Sequence, residues 1–294
     1  SAPVLGSFAV GIVCLAAYIK RQLSIKVPVL DLHVFTYQGY RVGVMCLMLN
    51  FGITLAAMYV LPQFYQNAML IAVAAAGVLM LPGGLINAAV SVAAGTLFDR
   101  FGARGPVSIG FACSALASAM LMIATPETPI WYMVACHIIM MIGVPLAMSP
   151  CQTHALASIP PQLNSDGSTI MNTLQQVLGA ICTAVATCLL AAGQNTYFAA
   201  GGTDSALAFT EGSHIGFAFT LIMAVLGFFL AFRINMQKEQ SAQKEESVAD
   251  ASVLSSLMQT EVFSVNESAN ALEALKLFAE KEISGAPVLD NNGN

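Results

Sequence analysis

Seven long apolar runs constrain the fold of this 294-residue chain more than any other feature. Each run has about 17 residues or more, which is enough for an α-helix to cross the roughly 30 Å hydrocarbon core of a bilayer. Because lipid offers no partner for backbone polar groups, such runs cross a membrane as helices. The runs lie at about residues 2–19, 41–62, 69–95, 106–124, 130–150, 168–192 and 214–233.

The composition agrees with a membrane protein up to about residue 234. The chain is 57% hydrophobic and only 9% charged, whereas soluble domains have about 25% charged residues. A soluble helical core could also be apolar, but seven runs with almost no charge between their ends argue against it. The 16 acidic residues lie mostly after position 234, in a polar tail of different character. We therefore expect an all-α polytopic membrane protein followed by a separate tail.

Basic residues cluster at alternate connections between the runs. Lys and Arg are retained on the cytoplasmic side of a membrane, so this pattern predicts that Ser1 lies outside and that the tail is cytoplasmic. The connection at 151–167 is nearly neutral and is assigned to the cytoplasm by parity. The basic residues at the predicted cytoplasmic connections are Lys20, Arg21, Lys26, Arg41, Arg100, Arg104, Arg233, Lys238 and Lys244.

A few polar side chains fall inside the apolar runs, where they mark either a transport path or helix packing. His137 is the titratable residue among them; it could relay protons or hydrogen-bond to a neighbouring helix. Asn172 and Gln176 are four residues apart and share a helix face, so they could line a cavity or join two helices. The predicted substrate-cavity residues are Asn50, Asn87, His137, Asn172 and Gln176.

One charged stretch, GTLFDRFGAR at 95–104, joins the third and fourth runs. It resembles the loop motif G-x-L-x-D-R-x-G-x-R of the major facilitator superfamily, which joins two helices on the cytoplasmic side. The residues that match the motif are Gly95, Asp99, Arg100, Gly102 and Arg104. We expect Gly102 to permit a tight reversal, Arg100 and Arg104 to face the membrane surface, and Asp99 to latch one conformation by approaching a helix N-terminus or a cation.

Five further segments resemble the fourteen-span drug:proton antiporter branch of that superfamily, in the same order. They are VPVLDLHVF (27–35), LPQFYQ (61–66), GVLMLPGGL (77–85), SPCQTHALASIP (149–160) and NTLQQVLGA (172–180). One departure is Gln175, which stands where that branch usually has an arginine. The resemblance implies that the first run is an inserted helix and that the next six form the C-terminal six-helix bundle.

The same resemblance implies a secondary active transporter of the bacterial inner (cytoplasmic) membrane. Its activity would be multidrug efflux by proton antiport with alternating access, for an apolar or cationic small molecule, with no bound cofactor. Because the chain opens on Ser1 at an apolar run and stops at Asn294 inside a predicted turn, we expect both ends to be truncated. The N-terminal bundle and its membrane carboxylates would then lie outside this sequence.

The polar tail divides into a charged linker at 235–252 and a segment at 253–294 that resembles the opening half of a CBS domain. ALEALKLF gives an amphipathic helix, and APVLDNNG gives a strand that enters a turn. The resemblance implies a truncated α+β cytoplasmic module that could bind an adenine nucleotide. The residues of such a cleft would be Thr260, Val262, Ser284, Gly285, Ala286 and Pro287.

The predicted domains are the inserted helix with its connection (1–40), the six-helix bundle (41–234), the linker (235–252) and the partial CBS domain (253–294). Two alternatives to a carrier stay open, a channel gated by the CBS module and a transporter-like membrane sensor. No constellation of side chains indicates an enzyme, no cysteine pair has a zinc-like spacing, and the tail lacks the basic character of a nucleic-acid partner.

Overall fold

The computed structural model describes residues 30–234 without a gap, part of the segment between positions 10 and 22, which is helical, and the pairs 265–266 and 288–289. A 3₁₀ helix at Leu32–Thr36 precedes six long helices. These are α1 (Gln38–Asn67), α2 (Val73–Phe101), α3 (Arg104–Leu121), α4 (Ile130–Ala157), α5 (Asn164–Ala199) and α6 (Ser205–Ala231). The predicted six-helix bundle is therefore present.

Within the described residues, five helical segments are long and apolar enough to cross a membrane: α1, α2, α4, α6 and Pro161–Ala199, which contains α5. The remaining helix, α3, has 18 residues and a length of about 27 Å, and it begins at Arg104. Most of the first predicted run, 2–19, lies outside the described residues.

The helices extend past the apolar runs that predicted them. The connections expected at 193–213 and 151–167 are largely helical, because α5 ends at Ala199, α6 begins at Ser205 and α4 continues to Ala157. Those two expectations are wrong. The reason is that hydropathy marks the part of a helix that lies in lipid, whereas the polar end turns continue the helix beyond it. Asp204 shows the effect: its Oδ1 accepts hydrogen bonds from the backbone N–H groups of Ala206 and Leu207 at the start of α6.

The six helices pack in two rows. In the first row, α2 packs against α4, α4 against α1, and α1 against α5; in the second row, α3 packs against α6. The rows meet where α3 packs on α4 and where α6 packs on α1 and α5. As a result, α1 and α4 occupy the middle of the first row, and α2 and α5 lie at its two ends.

Glycine pairs let helices of the two rows approach closely, as is common for transmembrane helices. A Cβ added to Gly143 on α4 would lie 2.5 Å from the carbonyl oxygen of Gly110 on α3. A Cβ added to Gly193 on α5 would lie 2.5 Å from the Cα of Gly212 on α6. These contacts fix where the rows cross.

Contacts divide the chain into two compact units, residues 1–240 and 241–294. In the second unit, the described residues are two short strands, β1 (Val265–Asn266) and β2 (Val288–Leu289). They pair in parallel, with Val265 opposite Val288. The β2 residues fall in the strand predicted from APVLD. The predicted nucleotide-cleft residues Thr260, Val262, Ser284, Gly285, Ala286 and Pro287 lie outside the described residues.

Candidate functional site

The loop motif forms a two-residue turn between α2 and α3. Gly102 has φ 69°, a left-handed conformation that favours glycine, and its N–H donates to the carbonyl of Phe98 at 2.8 Å. The tight reversal expected at Gly102 is therefore present. Gly95 is half-buried, and Asp99 and Arg100 are exposed at the end of α2.

Asp99 and Arg104 differ in their surroundings. Among the described residues, none forms a hydrogen bond or an ion pair with Asp99, so the latch expected there has no partner within this bundle in this conformation. Arg104 is half-buried, and its guanidinium carbon lies 5.0 Å from the ring centroid of Phe232, just after α6. Arg104 thus packs against a neighbouring helix end, because an aromatic face attracts a guanidinium; its contact with the membrane surface stays a prediction.

Asn50 joins the two middle helices. It is fully buried on α1, and its Nδ2 donates to the carbonyl oxygen of Val144 on α4 at 3.0 Å. Its Oδ1 is buried and has no hydrogen-bond partner among the described residues. The side chain therefore holds α1 to α4 with one donor and leaves one acceptor unused.

Asn87 and His137 come together between α2 and α4. Asn87 Nδ2 donates to the carbonyl oxygen of Met141 at 3.3 Å. His137 is 3% exposed, and an added Cβ on Gly83 of α2 would meet its ring at Nδ1. His137 lines a small crevice that its lining side chains nearly fill. The other lining residues are Ala57, Met58, Leu61, Met80, Met140 and Met141.

Asn172 and Gln176 lie elsewhere, exposed on α5. Exposed threonines Thr169, Thr173 and Thr187 extend the same polar side of α5, and each hydroxyl donates to the carbonyl four residues earlier, at 2.8 to 2.9 Å. The five predicted cavity residues therefore occupy three separate places in this bundle. Their role in substrate binding stays a prediction.

The exposed side of α2 carries a stripe of small residues. Gly77, Gly84 and Gly95 have no atom within 4 Å of an added Cβ, and Ala88 and Ser91 lie on the same helical face and are exposed. In a membrane, small residues usually mark a face against which another helix packs.

Large apolar side chains are exposed on α3 and α6, and also on α2 beside the small stripe, at Leu85 and Val92. Leu116 on α3 and Ile222, Leu226 and Phe229 on α6 are more than half exposed. Large apolar side chains of this kind suit contact with lipid. In the most apolar stretch of each segment, 11% of residues are buried in α2 and 28% in the segment that contains α5, against 39% in α6 and 56% in α1 and in α4.

The segment before α1 is attached to the start of α5. The backbone N–H of Asp31 donates to Asp166 Oδ2 at 3.2 Å, and the Tyr40 hydroxyl donates to the carbonyl of Gly167 at 2.8 Å. The backbone N–H of His33 lowers the pKa of Asp31 by donating to its carboxylate at 2.9 Å, and the His33 ring nitrogen at 2.6 Å lowers it further.

Sequence reasoning missed the methionines of the crevice and the role of Gly83. The spacing of His137, Met140 and Met141 placed them on one face of a single helix. Nothing local in the sequence indicated that Met80 on α2 and Met58 on α1 would meet that face, because the pairing of helices depends on tertiary packing.

Two family models match the chain. The Major Facilitator Superfamily matches residues 5–183, and the CBS domain matches residues 254–294. Both resemblances derived from the sequence are confirmed.

Several transporters are similar to the chain. The "Lincomycin resistance protein LmrB" of Listeria monocytogenes is 38% identical over 81% of this chain and 51% of that protein. The protein of the same name from Bacillus subtilis is 35% identical over 79% and 50%. The "Multidrug efflux pump LfrA" of Mycolicibacterium smegmatis is 22% identical over 62% and 36%. The chain spans about half the length of the lincomycin resistance proteins that it matches.

Proposed function

The chain belongs to the major facilitator superfamily, and on that premise we propose that it is the C-terminal half of a drug-efflux carrier of a bacterial cytoplasmic membrane. The proposed cargo is an apolar or cationic small molecule, exchanged for protons. The N-terminal side of this chain would face outward and its tail the cytoplasm. The names of its relatives support efflux of drugs but identify no substrate for this chain.

The observation that carries the proposal is the contrast between exposed faces. One exposed face of α2 bears glycine, alanine and serine, and one exposed face of α5 bears threonine, asparagine and glutamine. Large apolar side chains cover the exposed sides of α3 and α6 and the rest of the exposed surface of α2, for example at Leu85 and Val92. Small residues permit close helix packing, and polar residues are costly against lipid. We therefore assign α2 and α5 to the side that meets a second helix bundle, with Asn172 and Gln176 facing the path between the bundles.

Transport would proceed by rocking of the two bundles about that path. Asp99 is exposed at the end of α2 and has no partner in the described bundle, so its counterpart would belong to the second bundle in one of the two conformations. Arg104, stacked on Phe232, would hold the start of α3 against α6 while that contact forms and breaks.

The CBS segment would regulate the carrier by binding an adenine nucleotide in the cytoplasm. This proposal rests on the match at 254–294 and on the parallel pairing of β1 with β2. Nucleotide binding by the full-length protein, measured by calorimetry with ATP and AMP, tests it. The absence of heat from both nucleotides would contradict the regulatory proposal and leave the transport proposal standing.

The principal experiment is efflux of a fluorescent lipophilic cation from bacteria that carry the full-length gene. We expect efflux against the concentration gradient that stops when an ionophore removes the proton gradient. A channel would only let the dye concentrations inside and outside the cell become equal, and a sensor would move no dye. Either result would contradict the carrier proposal.

Two substitutions test the assigned faces. Gly84→Leu should abolish efflux but leave the bundle folded, because no atom lies within 4 Å of an added Cβ in this bundle. The matched control is Val92→Leu, on the large apolar side of α2, where the side chain is 78% exposed and efflux should persist. Equal efflux in both variants would show that the small stripe is not a packing face.

The loop is tested by Asp99→Asn, which removes the charge and keeps the shape. We expect efflux to fall at least tenfold with normal insertion into the membrane. Glu127→Gln, in the exposed connection between α3 and α4, is the control and should transport normally. Unchanged efflux in Asp99→Asn would contradict a latch at this position.

A further inference from the structure

We infer that the crevice between α1, α2 and α4 is a binding site for a soft monovalent metal cation of the Cu(I) class. Its lining combines four methionine thioethers, from Met58, Met80, Met140 and Met141, with the imidazole of His137. Soft thioether ligands select Cu(I), and imidazole also suits copper. The seven lining residues include no carboxylate or other oxygen side chain, so the crevice does not suit Mg²⁺ or Ca²⁺.

The helices bring these donors to one place. His137, Met140 and Met141 are spaced three and four residues apart on α4, which puts them on one face. Gly83 allows α2 to pack directly against the His137 ring, and Met80 lies one turn earlier on the same helix. The long, flexible methionine side chains can adjust to a ligand. Residues with such donors from two helices, together with Met58 from a third, therefore line the same space.

His137 has the strongest reason to bind a ligand there. Its side chain is 3% exposed, and the buried Nδ1 has no hydrogen-bond partner among the described residues. A buried polar atom without a partner is costly, and a metal ion at the ring would offset part of that cost. Asn87 supports the arrangement, because its Nδ2 lies 3.3 Å from the carbonyl oxygen and 3.9 Å from Sδ of Met141.

The size of the crevice favours an ion over a drug. Its lining side chains nearly fill it, so it has no room for a drug-sized molecule, whose pockets measure roughly 300–1,000 Å³. The site is therefore separate from the proposed path for drugs, and it does not depend on the proposed transport activity. Because α2 is the least buried of the membrane-spanning helices, a cation held by Met80, His137 and Met141 would tie α2 to α4.

The test is Cu(I) binding by the full-length protein in detergent under anaerobic, reducing conditions, in competition with a chromogenic Cu(I) chelator. The double variant Met80→Leu/Met141→Leu keeps the side-chain volume and should weaken binding at least tenfold, as should His137→Gln. The controls are Met45→Leu, exposed on α1, and Met133→Leu, buried on α4 and not among the residues that line the crevice. Both controls should bind as the unaltered protein does.

X-ray absorption at the copper edge, with one equivalent of Cu(I), should give a shell of thioether sulfur and one imidazole nitrogen. The protein also has seven cysteines, and binding at thiols would persist in the crevice variants with a thiolate sulfur shell. That result would overturn the inference, and so would equal losses in the crevice variants and the controls. If His137→Gln fails to fold, the methionine double variant decides the question.

Discussion

The crossing of α3 and α4 yields a quantitative prediction for Gly143→Ala. An added Cβ at Gly143 would lie 2.5 Å from the Gly110 carbonyl oxygen and 2.8 Å from Ser114 Oγ, whereas ordinary contact begins at 3.4 Å. The nearest atom is backbone, so the two helices must separate by about 0.9 Å to admit the methyl group.

The cost follows from what that separation does to the most extensive helix interface of the bundle. A gap of about 0.5–1 Å removes a quarter to a half of the dispersion energy of each contact. Overpacking in well-packed cores costs about 1–3 kcal/mol. We expect Gly143→Ala to lower the free energy of unfolding by about 2 kcal/mol, within that range.

The assay is reversible unfolding of the purified protein by SDS titration in mixed micelles, followed by circular dichroism. Gly77→Ala is the matched control, since it adds the same methyl group to a helical glycine with no atom within 4 Å. Its free energy of unfolding should rise by about 0.5–1 kcal/mol, because alanine favours a helix over glycine. Close packing at Gly143 is refuted if the two variants unfold alike.

Three other substitutions test single contacts by the same assay. Tyr40→Phe removes the buried hydrogen bond to the Gly167 carbonyl and should cost about 1 kcal/mol; an unchanged free energy would mean that this bond contributes no net stability. Thr220→Val removes the 3.0 Å bond to Ser118 that joins α6 to α3 and should cost about 1 kcal/mol, and a gain in stability would contradict this. Asp204→Ala removes the N-cap of α6 and should lower the free energy of unfolding by about 0.5–2 kcal/mol. Amide hydrogen exchange should then accelerate in the first turn of α6 alone. Uniform acceleration along the chain would contradict a local cap.

The sequence predicted the helices better than their ends. Long apolar runs identified all six helices of the bundle, because the cost of exposing backbone in lipid leaves no other structure for them. The run for α5 was predicted to end at about residue 192, but the helix continues to Ala199, and the run for α6 was predicted to begin at about residue 214, but the helix begins at Ser205. Caps such as Asp204 and polar end turns extend helices beyond the lipid. The tight turn at Gly102 was also predicted, because a short reversal between two helices needs a backbone conformation that favours glycine.

Side-chain partners could not be predicted in the same way. Asn87, His137, Asn172 and Gln176 were all predicted to line a substrate cavity, yet the first two meet between α2 and α4 and the last two are exposed on α5. The contact of Arg104 with Phe232 was not predicted either, because Phe232 lies 128 positions later in the numbering.

The sequence by itself determined that this chain forms membrane helices, where they lie, and to which family it belongs. The first two properties depend on composition and periodicity within about 20 residues, the scale set by bilayer thickness. The family was identified from the resemblance of the loop motif and of five further segments. Only the tertiary structure decided how each helix is rotated and which side chains share a space. That choice depends on contacts between residues far apart in the chain, such as Gly83 with His137 and Gly110 with Gly143, where the absence of a side chain on one helix sets the position of the other.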